Sequence, residues 1–349
     1  MFLLTRLQPL LAPVIRRIVG SAKPEVDTLH PEETETVRPP VMLAGMLDRV
    51  TGTNLHSVLS HHLEAMLDTV VTHPPVLRLA YRNVLVRRSG FAALRKNEVY
   101  DRKLRLAELA GPILPVSELR YCQRYAAWLY FGHWMHDAIP AALIDPGLGA
   151  LWMPPQPDWG HAPHYLEALD LSVLTAPVIH ADRFILYQDF GQGSHKQARY
   201  QVIRDRLHAK FGGKRAKERV FLSRGRTGAP RFIANEAKLI DALVARNWLI
   251  LDISTASMEE LQRALCQARV VVSIDGSHLS HAHLSLPPGA AMVVLMPQDR
   301  FTSIHLGLCR AHHVSPGIVV LTGTLEKGYH VELDDVLRTV DLAEAAALA

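Results

Sequence analysis

The chain has 349 residues, 48% of them apolar and 21% charged, with 38 Lys and Arg against 34 Asp and Glu for a formal charge of +4. This is enough chain for roughly two domains with their own cores, and the composition excludes a disordered chain, a collagen-like chain and a multi-span membrane protein. The small net charge conceals its distribution: residues 196–231 hold twelve Lys or Arg and two acids, +10 for that stretch against −6 for the remainder.

Three cysteines, Cys122, Cys266 and Cys309, are too few and too widely spaced for a disulfide framework or a zinc pattern, which points to a reducing compartment. In the first twenty residues, Arg6, Pro9, Pro13, Arg16 and Arg17 interrupt every apolar run well short of the ~18 to 20 residues that span a bilayer. The segment lacks the apolar core and small residues of a secretory signal. It reads either as a basic amphipathic piece lying on the inner face of a membrane or as a frayed end. A cytoplasmic location is expected.

Residues 21–40 are acidic and Pro-containing and read as a linker, and 53–73 hold a candidate helix. Strands joined by a turn at Ser89-Gly90 are expected from Val76 onward. Residues 117–145 have helical spacing, and the Pro- and Trp-rich stretch 152–164 reads as a loop. The second half reads more clearly. A basic helix over about 194–210 leads to the strand VFL at 220–222 and the loop SRGRTGAPR. Then come a helix opened by Asn235 and Glu236, the strand WLILDI, and a helix whose Ser257 and Glu260 form a capping box. The strand RVVVSI ends at Asp275-Gly276-Ser277, HLSHAHLS is helical, and AAMVVLM is a further strand. Doubly apolar strands alternating with helices predict a Rossmann-like parallel α/β domain over 219 to about 330.

In such a sheet ligands bind beyond the carboxyl ends of the strands. Two loops fall there. Ser223-Arg224, Arg226 and Arg231 could clamp phosphate through forked, charge-assisted hydrogen bonds, or form a solvated basic loop. Asp275-Gly276-Ser277-His278 could bring backbone amides close to an anion. The run His278, His281, His283 suggests a metal cluster at first sight, but no third ligand shares the face, so helix-face histidines are favoured and no metal is expected. The i, i+4 spacing of His133 and Asp137 places a carboxylate beside an imidazole, a pair suited to general-base work, or to a satisfied histidine in a packed helix. No D-x-D carboxylate pair occurs, so arginines would have to meet the charge of a leaving diphosphate.

Three ordered motifs resemble glycosyltransferase family 61: Gly132-His133-Trp134-Met135-His136-Asp137 with Ile139-Pro140, then Ser223-Arg224, Arg231 and Asn235-Glu236, then Ala268 to Leu279. They keep family order over about 75–330. Asp275 stands where the family pattern has histidine, and His278 and His281 also depart from it. The resemblance implies a GT-B-like α/β fold of two Rossmann-like domains facing across a cleft. The expected division is 1–40 as N-terminal segment and linker, 41–195 as acceptor-side domain and 196–349 as nucleotide-sugar domain. The implied activity is inverting, metal-independent transfer from a UDP-linked or other nucleotide-sugar to a glycan or lipid-linked glycan, in capsule or lipopolysaccharide synthesis. Asp137 and His133 would supply the base. Trp134 and His136 would lie on the acceptor side. Ser223, Arg224, Arg231, Asn235, Glu236, Asp275, Gly276, Ser277, His278 and Leu279 would hold the donor. The alternatives are a non-catalytic sugar-nucleotide-binding scaffold and an anionic-polymer binder. Nucleic acid is disfavoured, because the basic stretch matches no nucleic-acid-binding module.

Overall fold

The computed structural model describes residues 23–54, 57–88, 90–92, 97–99, 108, 111–213, 218–225 and 231–348. The N-terminal segment to residue 22, Lys214, Arg215, Lys217 and Arg226 lie outside the described residues. The chain forms two compact units, one of Met1–Glu33 with His73–Gly191 and the other of Thr34–Thr72 with Gln192–Ala349. Among the described residues no helix is long and apolar enough to cross a membrane.

The second unit is built on a six-stranded sheet. Across it the strands run Leu249–Asp252, Arg219–Ser223, Val270–Ile274, Ala291–Pro297, Ser315–Thr324 and Gly328–His330. The first five are parallel and the last is antiparallel. Val270–Ile274 and Ala291–Pro297 are buried at every position, which is why they read as unbroken apolar runs: helical crossovers cover both faces. The crossovers include Glu236–Val244, Met258–Leu265, Leu279–Ser285 and Ile304–Ala311. The capping box at Ser257 is present in full, with the Ser257 hydroxyl accepting from the Glu260 N–H and the Glu260 carboxylate accepting from the Ser257 N–H. The basic helix Ser194–Phe211 packs on three of the other helices and buries Tyr200, Ile203, Arg204, Leu207 and Phe211.

Residues 34–72, of which 34–40 are expected as linker and 41–72 as part of the acceptor-side domain, belong to this unit. Backbone pairing explains why. Val41 bridges Gly317, the Val41 N–H donates to Pro316, and the Thr51 and Gly52 N–H groups both donate to the Gln298 carbonyl. Arg49 adds an ion pair to Asp335 at 2.7 Å. The anticipated linker is also structured: Glu25–His30 and Glu33–Thr36 are strands.

The first unit carries a seven-stranded mixed sheet, and here the expectation of a second Rossmann-like array is not met. Val76–Arg87 runs antiparallel to Glu25–His30, Gly90–Ala92 and Val178–Gln188. Among the described residues of this sheet, the parallel pairs are those of Ile113–Tyr121 with Val178–Gln188 and Ala150–Trp152. The stretch at 117–121, which has helical spacing, is the end of that strand: Glu118 to Tyr121 pair with Val178–Gln188, Leu119 to Tyr121 pair also with Ala150–Trp152, and Leu119, Arg120 and Tyr121 are all buried between the two neighbours. Phe91, Tyr121 and Phe184 meet in its core with ring centroids 4.5 to 5.3 Å apart, a spacing at which edge and offset contacts add to simple burial.

Because the Ser257 hydroxyl satisfies an otherwise unpaired helix N–H, Ser257→Ala is expected to lower the unfolding free energy by about 1 kcal/mol. Chemical denaturation followed by circular dichroism checks this, and an unchanged midpoint would deny the cap its role.

Candidate functional site

The sheet of the second unit winds in one direction from Arg219–Ser223 to Leu249–Asp252 and in the other from Val270–Ile274 onward. The reversal falls between Arg219–Ser223 and Val270–Ile274, the place in an open parallel sheet where a ligand crevice is expected beyond the carboxyl ends of the strands. Arg224 and Asp275 are the first residues past those two ends.

The two loops are tied together at Asp275. Its backbone carbonyl accepts from Arg224 Nη1 at 2.9 Å and from Arg231 Nη1 at 3.0 Å, and its Oδ2 is in direct ion contact with Arg231. Its Oδ1 accepts from His305 Nε2 at 2.9 Å. Burial alone would raise the Asp275 carboxyl, but the His305 hydrogen bond and the Arg231 charge outweigh it and hold it down at about 2. Arg224 moves the other way. Burial first, then the neighbouring Arg231, lower its guanidinium to about 10 despite Asp275, and Arg300 adds to the same repulsion. Positive charge is crowded here into a largely buried site around one carboxylate. Among the described residues the buried Nε atoms of Arg231 and Arg300 have no hydrogen-bond partner. Buried donors in that state call for an acceptor, and an anion supplies one while relieving the repulsion.

Gly276 serves space rather than backbone conformation. A Cβ there would lie 2.5 Å from Arg224 Nη1 and 2.8 Å from His278 Nδ1, so only glycine leaves room for both groups. His278 donates through Nε2 to Ser273 Oγ at 2.7 Å, since the Ser273 hydroxyl is itself donated to the Leu222 carbonyl at 2.6 Å. Burial, reinforced by Arg224, holds the His278 imidazole well below its ordinary range, so it is neutral. Ser277 is exposed at the lip of the turn.

Other donor-side candidates have structural partners. The Ser223 hydroxyl donates to Glu236 Oε1 at 3.0 Å, and burial raises that carboxyl. The Asn235 amide is engaged at both ends by Val331, donating to its carbonyl at 2.8 Å and accepting from its N–H at 3.1 Å. Leu279 is fully buried in the core. Asn235 and Leu279 thus brace the loops and do not line the crevice. The histidine run does not converge: His278 turns to Ser273, while His283 turns to His305 at 3.1 Å. Among the described residues, no group of three or more His, Cys, Asp or Glu side chains is arranged to hold a metal ion.

In the first unit, Phe131–His133, Trp134–Ala138 and Ile139–Ala142 form a continuous helical run whose middle is a π-turn. Pro140 accounts for the widening: it has no N–H to give the carbonyl four residues back, and its ring would strike that carbonyl in an α-helix. The Ile139 N–H bonds the Trp134 carbonyl instead. His133 Nδ1 lies 2.7 Å from Asp137 Oδ2, with the two side chains 47% and 40% exposed. The carboxylate accepts, so Nδ1 carries the proton and Nε2 is the nitrogen turned away from the pair.

The two acceptor-side candidates on this turn are interior. Trp134 is fully buried, donates Nε1–H to the Met153 carbonyl at 3.1 Å and packs against Phe131 and Trp159. His136 is 4% exposed. The exposed ring beside the dyad is Tyr130, its centroid 6.1 Å from that of His133. Sequence reading missed Tyr130, and it missed Arg300 and His305, which follow the end of the next strand, Ala291–Pro297. The carboxyl-end rule extended by one strand would have found both.

Gly276→Ala is expected to push the Arg224 guanidinium aside and weaken binding of a nucleoside diphosphate by about tenfold or more, the equivalent of one charged hydrogen bond. Calorimetric titration of the folded variant checks this, and unchanged affinity would remove the steric role of Gly276.

No curated protein matches the chain. Solved structures with partial likeness include the flavodiiron protein from Giardia intestinalis, at 12% identity over 49% of this chain and 44% of that one, with a TM-score of 0.27. Another is a point mutant of the flavo di-iron protein from Thermotoga maritima, at 10% identity over 61% and 52%, with a TM-score of 0.29. The chain spans about half the length of these proteins, and at such scores the likeness says nothing about its fold or activity. Residues 131–293 match the family model described as Glycosyltransferase 61, a stretch that begins at the His133–Asp137 turn and contains Arg224, Arg231 and Asp275. The matched stretch is just under half of the chain, and the three motifs that resemble this family in the sequence fall within it.

Proposed function

We propose that the chain is an inverting, metal-independent glycosyltransferase that moves a sugar from a nucleotide diphosphate, UDP above all, to a glycan or lipid-linked glycan of the cell surface such as capsule or lipopolysaccharide. The observation that carries this reading is the buried cationic crevice at the winding reversal of the second unit, where Arg224 and Arg231 meet at Asp275. The Glycosyltransferase 61 match supports sugar transfer.

The donor's diphosphate binds Arg224 and Arg231, with Arg300 adding charge and the Gly276-Ser277 amides contributing hydrogen bonds. As the bond from the anomeric carbon to the diphosphate oxygen breaks, negative charge grows on that oxygen. Fixed guanidinium groups stabilise the growing charge more than the ground state, which lowers the barrier. The acceptor hydroxyl gives its proton to His133 Nε2 while its oxygen attacks the opposite face of the anomeric carbon. Asp137 holds the ring through Nδ1–H and offsets the imidazolium that forms. Trp134 sets the turn from beneath, and Tyr130 takes the place of the stacking ring on the acceptor side. His133 and Asp137 are exposed, as groups that must reach a large acceptor need to be.

Asp137→Asn and His133→Ala are each expected to reduce the transfer rate by about 10²-fold or more, with donor affinity unchanged. Transfer of a radiolabelled nucleotide-sugar to a defined acceptor measures this. Full rate in either variant would remove the dyad from the reaction. Donor binding without transfer in the wild type would instead favour a sugar-nucleotide-binding scaffold.

A further inference from the structure

Behind Asp275 lies a line of buried groups that the transfer step does not use. Asp275 Oδ1 is 2.9 Å from His305 Nε2, His305 Nδ1 is 3.1 Å from His283 Nε2, and His283 Nδ1 is 4.0 Å from Cys309 Sγ. The two rings stack at 5.4 Å, and His305, His283 and Cys309 are all buried.

The proton positions follow from the partners. An ionised carboxylate only accepts, so His305 Nε2 must carry a proton. In a neutral ring His305 Nδ1 then offers its lone pair, so His283 donates to it through Nε2–H. His283 Nδ1 is left to accept from Cys309, whose thiol burial pushes up and keeps as S–H. One assignment therefore completes the whole line. A second assignment, richer by one proton, also completes it: His305 Nδ1–H donates to His283 Nε2, and the His283 proton sits on Nδ1 toward the sulfur. The line thus has two fully bonded states that differ by one proton.

The surrounding charges decide when the second state is favoured. From the loop after Arg219–Ser223 come Arg224 and Arg231. From the loop after Val270–Ile274 comes Asp275, with the neutral His278 beside it. Asp299 and Arg300, adjacent after Ala291–Pro297, are of opposite sign, and His281 lies with His283 on Leu279–Ser285. At the far end, the His283 ring is 5.9 Å from that of His312, whose carbonyl accepts from Arg204 Nη2 at 2.7 Å. That buried guanidinium closes the line with positive charge and favours keeping an added proton at the Asp275 end. Arg224, Arg231 and Arg300 bring three positive charges to this place and Asp275 one negative charge. A diphosphate seated on the arginines lies beside the Asp275 carboxylate, and a proton on the pair relieves the repulsion between them.

We propose that His305 and His283 are positioning residues that lend the donor site a proton: arrival of a diphosphate at Arg224 and Arg231 draws one proton from solvent onto the pair, and its departure releases that proton. This rests on the placement of the donor diphosphate proposed above. It makes the binding of an ordinary, non-titrating diphosphate diester pH-dependent through residues that never touch it.

The test measures UDP-glucose affinity of the full chain at pH 6, 7 and 8, since this diphosphate diester neither gains nor loses a proton over that range. The wild type is expected to bind more tightly as pH falls, by up to about tenfold per unit. His305→Gln, whose amide still donates to Asp275 but holds no extra proton, is expected to show no such slope, whatever its affinity at pH 8. A residue with a merely structural role would weaken binding equally at every pH. Nitrogen NMR of histidine-labelled wild type gives a second reading that needs no variant. Free protein should show His283 and His305 neutral with the proton on Nε2, and the UDP-glucose complex should show one ring protonated at both nitrogens. A flat wild-type profile, a slope that survives His305→Gln, or unchanged histidine signals in a formed complex would overturn the proposal. Absence of UDP-glucose binding to folded wild type at every pH would count against the donor placement itself, and the proposal would fall with it.

Discussion

The second unit depends on one topological constraint, the reversal of winding between the strands Arg219–Ser223 and Val270–Ile274. Two adjacent parallel strands whose connections leave in opposite directions cannot cover the space beyond their own carboxyl ends. The chain fills that space with charge. Arg224 is carried there by the first strand and Asp275 by the second, and the main-chain carbonyl of Asp275 receives both arginines. A packed interior accepts such crowding only where each group is bonded or where a ligand completes it. The lowered Arg224 and the Nε atoms of Arg231 and Arg300, which have no partner among the described residues, fit the second case. Gly276 completes the arrangement by omitting the one atom that would collide with the Arg224 guanidinium.

The first unit solves a different problem. Its candidate dyad sits on a helical turn widened at Pro140, with a fully buried tryptophan below and an exposed His133–Asp137 pair above. The buried ring fixes the backbone while the pair stays exposed. Orientation of an imidazole by a carboxylate through Nδ1 is a local device, independent of the sheet that carries it.

Much of the second unit was legible in the sequence because its strands are buried on both faces and its helices carry strong start signals. Ser257 and Glu260 announce a cap that is present in full, and apolar runs such as Val270–Ile274 have no other reading once helices flank them. The first unit was harder. Strands in its mixed sheet owe their pairing to distant partners, and the helical spacing over 117–121 gave way to a ladder with Val178–Gln188. The acidic stretch at 25–36 looked like a linker because its strands pair with residues far along the chain. Within the site, residue type and position after a strand identified Arg224, Arg231 and Asp275. They could not show that Trp134 is interior, that Asn235 grips Val331, or that His305 lies against Asp275, since each depends on a contact across tens of residues. In the histidine-rich helix, spacing alone separates His283 from the face of His278 and His281, and the fold turns His278 and His283 in different directions, toward a serine and toward another histidine.

The central claim is that Arg224 and its neighbours form the seat of a nucleotide diphosphate. The most direct measurement is a thermal-shift panel of UDP-, GDP-, dTDP- and CMP-linked sugars against the wild-type chain and Arg224→Ala, since a ligand that binds only the folded state raises the melting temperature by mass action. The account predicts that at least one nucleoside-diphosphate sugar raises the wild-type melting temperature by several degrees, that CMP-linked sugars with a single phosphate do not, and that the shift disappears in Arg224→Ala. A wild-type chain indifferent to every member of the panel, or a shift that persists in Arg224→Ala, would contradict it.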